Sequence, residues 1–152
     1  MDKKDLDSRY DELEKLNFDI AKYHLGTVEE YQKACADVLK FIHRATQLLV
    51  DARLWKAQGK VDVIVKDAAI DNRLNMLLAT DEEVASQKSE KMRTAFAMNK
   101  ITDDSALMGN LKAKSVVMET YVENVKSVLE SLYEASALLK SLSFAFNTNR
   151  LQ

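Results

Sequence analysis

Three basic side chains and one tryptophan lie close together near the middle of the chain, and their types suit the binding of a polyanion. Arg53, Lys56 and Lys60 are separated by three and four residues. On a helix, this spacing projects all three from one side. Trp55 lies among them. Cations neutralise phosphates and an aromatic ring stacks on a base, so this combination predicts contact with single-stranded nucleic acid.

The same residues have a second interpretation that stays open at this point. Lysine and arginine ordinarily line the solvated face of a helix, and Trp55 continues an apolar row at seven-residue steps that is typical of a core. The local charge favours nucleic acid, because residues 34–66 carry six bases and three acids in a chain whose formal net charge is −2. Arg44 and Lys66 belong to this excess and complete the predicted binding set.

No pattern in the sequence predicts catalysis. His24 and His43 are nineteen residues apart and lack the spacing of a metal site. Cys35, the single cysteine, has no neighbouring base to activate it and is compatible with a reducing compartment. We therefore predict no catalytic residue, no metal ligand, no cofactor and no enzymatic activity.

Composition points to an all-α fold. The chain has no proline and three glycines, and it is rich in residues that favour helices. Thr27 and Glu30 form a capping-box pattern at a helix start, and Gly59 suits a helix end. Residues 60–66 alternate as a strand does, but a lone strand has nothing to pair with, so a helix is preferred. Within one domain, 1–152, we predict helical segments at 1–26, 27–58, 60–100 and 103–146.

The last segment carries a stripe of apolar residues with a period of 3.5, which is typical of a coiled-coil seam. A helix over residues 103–146 would be roughly 65 Å long. We therefore predict an elongated helical bundle that self-associates through this seam. The predicted seam residues are Met118, Tyr121, Val125, Val128, Leu132, Leu139 and Leu142.

The N-terminus is charged throughout, and no stretch reaches the ~18 consecutive apolar residues of a membrane span. The sequence therefore predicts a soluble cytoplasmic protein with no membrane partner.

In its middle, the chain resembles the recombination mediators of T4-type bacteriophages. In that family, a helix carries an Ala-Arg-Leu triplet, followed by an aromatic-containing stretch and a glycine with a basic residue. The matching residues here are Ala52–Leu54, Trp55, Gly59 and Lys60. Two positions before the arginine, where the family has a second basic residue, this chain has Asp51, an acid that weakens phosphate binding.

The resemblance implies a homo-oligomer that binds single-stranded DNA and helps to load a RecA-like recombinase onto DNA covered by single-strand-binding protein. It implies Arg53 as a DNA contact with Lys60 in support, and the host cytoplasm as the location of a phage-encoded protein. The alternative hypothesis is a helical oligomeric scaffold or chaperone that binds a protein partner through its apolar seam.

Overall fold

A computed structural model of the chain describes the backbone of residues 3–149 and the side chains of residues 4–143. These residues form an all-α structure without strands, which confirms the predicted fold class. The helices are α1 (Lys3–Glu14), α2 (Val28–Thr80), α3 (Glu82–Ala85), α4 (Glu90–Lys100) and α5 (Thr102–Asn149), with a short 3-10 turn at Ile20–Lys22.

The first helix is shorter than predicted, because α1 ends at Glu14 and not near Gly26. The segment after it contains residues whose side chains bond to the local backbone in turns. Asp19 caps the 3-10 turn by accepting a hydrogen bond of 3.0 Å from the Ala21 amide. Phe18 holds the segment in place by stacking on Tyr23 at 5.3 Å between ring centroids.

The second helix is much longer than predicted. Its start is confirmed, because Thr27 Oγ1 accepts a 3.3 Å hydrogen bond from the Glu30 amide and α2 begins at Val28. The predicted end at Gly59 is wrong. A glycine cap requires a positive φ, and no glycine among the described residues has one. Glycine in a helix interior costs only about 1 kcal/mol, which the flanking helix formers offset, so α2 continues to Thr80 through the predicted boundary.

Two short helices, α3 and α4, follow α2 as a hairpin. Asp81 caps α3 by accepting a 3.1 Å hydrogen bond from the Val84 amide. Ser89 caps α4 in the same way through the Met92 amide, at 3.2 Å. The start of the last helix agrees with the predicted bound of 103 to within one residue, because α5 begins at Thr102.

The chain divides into two compact units. Unit 1 contains the residues up to Leu54 and from Thr120 onward, and unit 2 contains residues 55–119. In unit 1, α1, the first half of α2 and the second half of α5 share a core. Its buried residues include Leu13, Leu16, Ala34, Val38, Ala45, Leu48, Ala52, Val122 and Leu129.

The predicted seam of α5 lies largely inside this single chain. Five of its residues are at most 3% exposed: Met118, Tyr121, Val125, Leu132 and Leu139. Val128 and Leu142 are half-buried. Tyr121 also packs edge-to-face on Tyr10 at 5.1 Å. The chain's own helices cover the seam, which corrects the prediction that a second copy binds there.

Unit 2 has a thinner core. Its buried side chains come from the α3–α4 hairpin and the start of α5, and they are Val84, Ala97, Ile101, Met108 and Met118. The half of α2 within unit 2 contributes half-buried residues only. Ion pairs supplement this core. Lys100 Nζ lies 2.7 Å from a carboxylate oxygen of both Asp81 and Glu83, which ties the end of α4 to the start of the hairpin.

Candidate nucleic-acid interface

Three of the predicted nucleic-acid-binding residues share one face of α2. At about 100° per residue, Arg53, Lys56 and Lys60 fall within a sector of about 60°. Arg53 is exposed and has no hydrogen bond or ion pair to any other described residue. Its guanidinium is therefore free to bind an anion with up to five N–H donors.

Lys56 and Lys60 share one carboxylate of unit 2. Lys56 Nζ lies 3.2 Å from Glu119 Oε1, and Lys60 Nζ lies 3.6 Å from the same oxygen. The hydrogen bond from Lys56, together with the charges of both lysines, holds the pKa of Glu119 below its ordinary value. Over the two turns of α2 from Arg53 to Lys60, the three cations thus have one paired acid, Glu119, which leaves a local excess of two positive charges.

Lys60 is the more available of the two lysines, because its side chain is 57% exposed whereas that of Lys56 is 28% exposed. Ion pairs this exposed contribute little free energy, since water and salt screen them. A phosphate can therefore displace Glu119 at small cost, and Lys60 is the easier one to reach.

Lys66 belongs to a different cluster. It lies thirteen residues after Arg53, which turns it onto another side of α2. Its Nζ contacts Asp104 Oδ1 at 2.6 Å, and Arg73 Nη1 contacts Asp104 Oδ2 at the same distance. The hydrogen bond from Lys66 is the main reason that the pKa of Asp104 is lowered, and burial opposes it. With 21% of its side chain exposed, Lys66 serves the packing of α2 on α5 in unit 2.

Arg44 also lies away from the other cations. It precedes Arg53 by nine residues, or two and a half helical turns, and so projects from the opposite side of α2. Its guanidinium pairs with the carboxylate of Glu12 on α1, and its Nη1 donates to Gln47 Oε1 at 3.1 Å. The structure thus brings together Arg53, Lys56 and Lys60, but not Arg44 or Lys66.

Trp55 is half-buried. It lies seven residues after the fully buried Leu48, on the side of α2 that also carries Ala52. The indole is thus placed as an extension of the core row, and only part of its surface can meet a base.

The acid that departs from the family pattern is partly neutralised within unit 1. Asp51 Oδ2 lies 3.5 Å from Arg9 Nη1 of α1. Asp51 also precedes Arg53 by two residues, which places it on a different side of α2. Its charge therefore opposes phosphate binding less than its sequence position suggests.

The sequence reasoning missed a second surface of α2. Its members lie at alternating steps of four and three residues and face solvent. We call them the exposed stripe, and they are Val50, Leu54, Ala57, Val61, Ile64 and Ala68. This period of 3.5 is readable from the sequence, but a helix that ended at Gly59 would have cut it in two.

Within residues 4–143, no group of three or more His, Cys, Asp or Glu side chains is placed to hold a metal ion. None of the described helices is long and apolar enough to cross a membrane. Comparison with protein-family models, curated proteins and solved structures finds no match to this chain.

Proposed function

We propose that this protein binds single-stranded DNA without catalysing a reaction, and that it helps to load a RecA-like recombinase onto DNA covered by single-strand-binding protein. One observation supports DNA binding most directly. Arg53, Lys56 and Lys60 share a face of α2 and have a single paired carboxylate, Glu119. The mediator role rests on the resemblance of residues 52–60 to the phage family.

The geometry favours phosphate contacts over base stacking. Arg53 and Lys60 are about 10 Å apart along the helix axis, so they can neutralise different phosphates of an extended strand. Trp55 is half-buried and offers a base only part of its ring. Binding should therefore tolerate any sequence and weaken steeply as salt is added.

Two or three phosphate contacts give each chain a low affinity. A mediator works with such contacts when several chains act on one strand, because avidity multiplies modest single-site affinities. Weak contacts also suit a protein that must later release DNA to a recombinase.

The DNA-binding proposal is tested by charge reversal. The variant Arg53→Glu/Lys60→Glu should lower the affinity for a labelled single-stranded oligonucleotide at least about tenfold at low salt, as measured by fluorescence anisotropy. The matched control is Lys114→Glu/Lys140→Glu, which changes the net charge equally at two exposed lysines of α5. Equal affinities of the two variants would show that only the total charge matters, and an unchanged affinity in the first would reject the site.

The mediator role needs its own measurement. The wild-type protein should stimulate the DNA-dependent ATPase of a RecA-like recombinase on strands covered by single-strand-binding protein. The Arg53→Glu/Lys60→Glu variant should not. DNA binding without stimulation would reject the mediator role and leave a simple DNA-binding protein.

A helical scaffold is the second candidate, and the exposed stripe is the observation that favours it. Val61 is 50% exposed and Ile64 is 67% exposed in a register that suits an amphipathic partner helix. A stable complex with a helical partner, together with no salt-dependent DNA affinity, would favour the scaffold over the mediator.

A further inference from the structure

The exposed stripe is an apolar surface that none of the side chains described, those of residues 4–143, covers. Single exposed apolar residues are ordinary, but six of them in continuous heptad register form a surface that suits packing against a second helix. Four of these side chains are at least half exposed: Val50 (52%), Leu54 (64%), Val61 (50%) and Ile64 (67%). The opposite side of α2, which carries the buried Ala45 and Ala52, packs against other helices of the same chain.

The charges beside the exposed stripe indicate what covers it. Arg53, Lys60 and Asp67 flank one edge at seven-residue intervals. Arg53 and Asp67 are both exposed, and neither has a hydrogen bond or ion pair to another described residue. An unpaired cation and an unpaired anion fourteen residues apart on one edge are complementary to the same edge of a second, reversed helix.

We propose that a second copy of this chain packs its α2 antiparallel on the exposed stripe. In this register, Leu54 packs on Ile64 of the second copy and Ala57 packs on Val61 of the second copy. Arg53 of each copy then meets Asp67 of the other, which forms two ion pairs related by a twofold axis.

One repulsive contact arises at that axis, where the two Lys60 side chains approach each other. Glu119 offsets it, because its Oε1 lies 3.6 Å from Lys60 Nζ in each chain. A parallel arrangement of the two α2 helices forms no comparable ion pairs. It would place Arg53 opposite Gln58 and Lys60 opposite Val65, so it forms no pair of opposite charges.

The contact is short. The exposed stripe spans Val50 to Ala68, about 27 Å along the helix, and two of its six members are alanines. The apolar area is therefore modest, and we expect a dimer with a dissociation constant on the order of micromolar.

Sedimentation equilibrium from about 1 to 100 µM protein tests the dimer without DNA. Val61→Glu places a charge at the centre of the contact and should weaken dimerisation at least about a hundredfold. Because Val61 is half exposed in the single chain, helicity by circular dichroism should not change. The control is Met76→Glu, on the same helix but outside the stripe and 65% exposed, which should dimerise like the wild type. A wild-type protein that stays monomeric, or equal dimerisation by both variants, would overturn the proposal.

A charge swap tests the antiparallel register. Arg53→Asp should weaken the dimer about tenfold, because it faces Asp67 of the second copy with a like charge. The double variant Arg53→Asp/Asp67→Arg should restore wild-type dimerisation. No weakening in the single variant, or no recovery in the double variant, would reject this pairing.

Spin labels give the orientation directly. Nitroxides at Asn72, in a Cys35→Ala background, should lie about 40 Å apart along the axis in an antiparallel pair. A parallel pair would bring them to about 10 Å. The shorter distance would reject the antiparallel model.

The proposed dimer and the proposed DNA binding can be tested independently of each other. Val61→Glu keeps Arg53, Lys56 and Lys60, so it should lose the dimer while each chain still binds DNA. Because Arg53 also takes part in the dimer contact, Arg53→Glu/Lys60→Glu is compared with Val61→Glu in the Val61→Glu background, where no dimer remains to be lost and only the DNA site changes. The five donors of Arg53 allow it to pair with a carboxylate at the edge of the contact and still meet a phosphate.

Discussion

Replacing Glu119 by glutamine should strengthen the proposed DNA binding. Glu119 is the carboxylate paired with Lys56, at 3.2 Å, and with Lys60, at 3.6 Å. The amide of glutamine cannot neutralise either ammonium group. The local excess between Arg53 and Lys60 therefore rises from two positive charges to three, and both lysines become free to meet phosphates.

The size of the gain follows from counterion release. One additional phosphate neutralised on a single strand steepens the dependence of log K on log salt by about 0.7. Taking the two proteins as equal near 1 M salt, Glu119→Gln should bind about eightfold more tightly at 50 mM salt and about threefold more tightly at 200 mM. The fall in this affinity ratio between 50 and 200 mM salt tests the counterion argument as directly as either ratio does.

Fluorescence anisotropy with a labelled oligonucleotide, over a series of salt concentrations, measures both the affinity and the slope. The matched control is Glu130→Gln, which removes the same charge from an exposed position of α5 that has no ion pair among the described residues. Since exposed ion pairs contribute little to stability, Glu119→Gln should remain folded, which circular dichroism can verify. Equal affinity of Glu119→Gln and the wild type, or of the two variants, would refute the reasoning.

The pH dependence provides an internal check. The hydrogen bond from Lys56 lowers the pKa of Glu119, so the carboxylate is ionised at neutral pH. As the pH falls through this lowered pKa, the wild-type carboxylate becomes neutral and releases its lysines. The affinities of the wild type and Glu119→Gln should therefore converge in acid, and a constant ratio would count against Glu119 as the cause.

Two further predictions concern stability. Gly59→Ala should raise the free energy of unfolding, measured in urea, by about 0.5 to 1 kcal/mol. Gly59 lies inside α2, and an added Cβ would meet no atom within 4 Å. A lower free energy of unfolding would contradict a helical position for Gly59. Burial raises the pKa of Tyr121 to about 12 from its ordinary 10.0. Between these two pH values the unfolded chain loses the phenol proton more readily than the folded chain, so the free energy of unfolding falls as the pH rises from 10 toward 12. The wild type should then lose about 2 kcal/mol more than Tyr121→Phe across that interval, and equal losses would show that Tyr121 does not titrate in this way.

Local sequence predicted the helical content and several helix starts well. The absence of proline and the capping residue Thr27 act within one or two turns, so they do not depend on the rest of the fold. Gly59 shows the limit of such reasoning. Glycine can end a helix or lie inside one, and the outcome depends on whether the flanking segments gain more by continuing.

The members of the candidate site were predicted, but their pairing was not. The face shared by Arg53, Lys56 and Lys60 follows from helical periodicity alone. Their partner Glu119 lies on α5, about sixty residues away in the chain, and Asp104 is 38 residues from Lys66. No local pattern connects residues so distant, because the packing of two helices decides which charges meet.

The sequence by itself determined that this chain is helical, that one face of α2 is basic and that α2 and α5 carry apolar residues at a period of 3.5. Only the tertiary structure decided which apolar rows are covered. A heptad pattern records that a face is apolar, but not which helix lies against it. The row of α5 that includes Tyr121 and Leu132 is buried inside the chain, whereas the row of α2 from Val50 to Ala68 faces solvent. The physical reason is that burial depends on the positions of other helices, which long-range contacts establish and periodicity cannot specify.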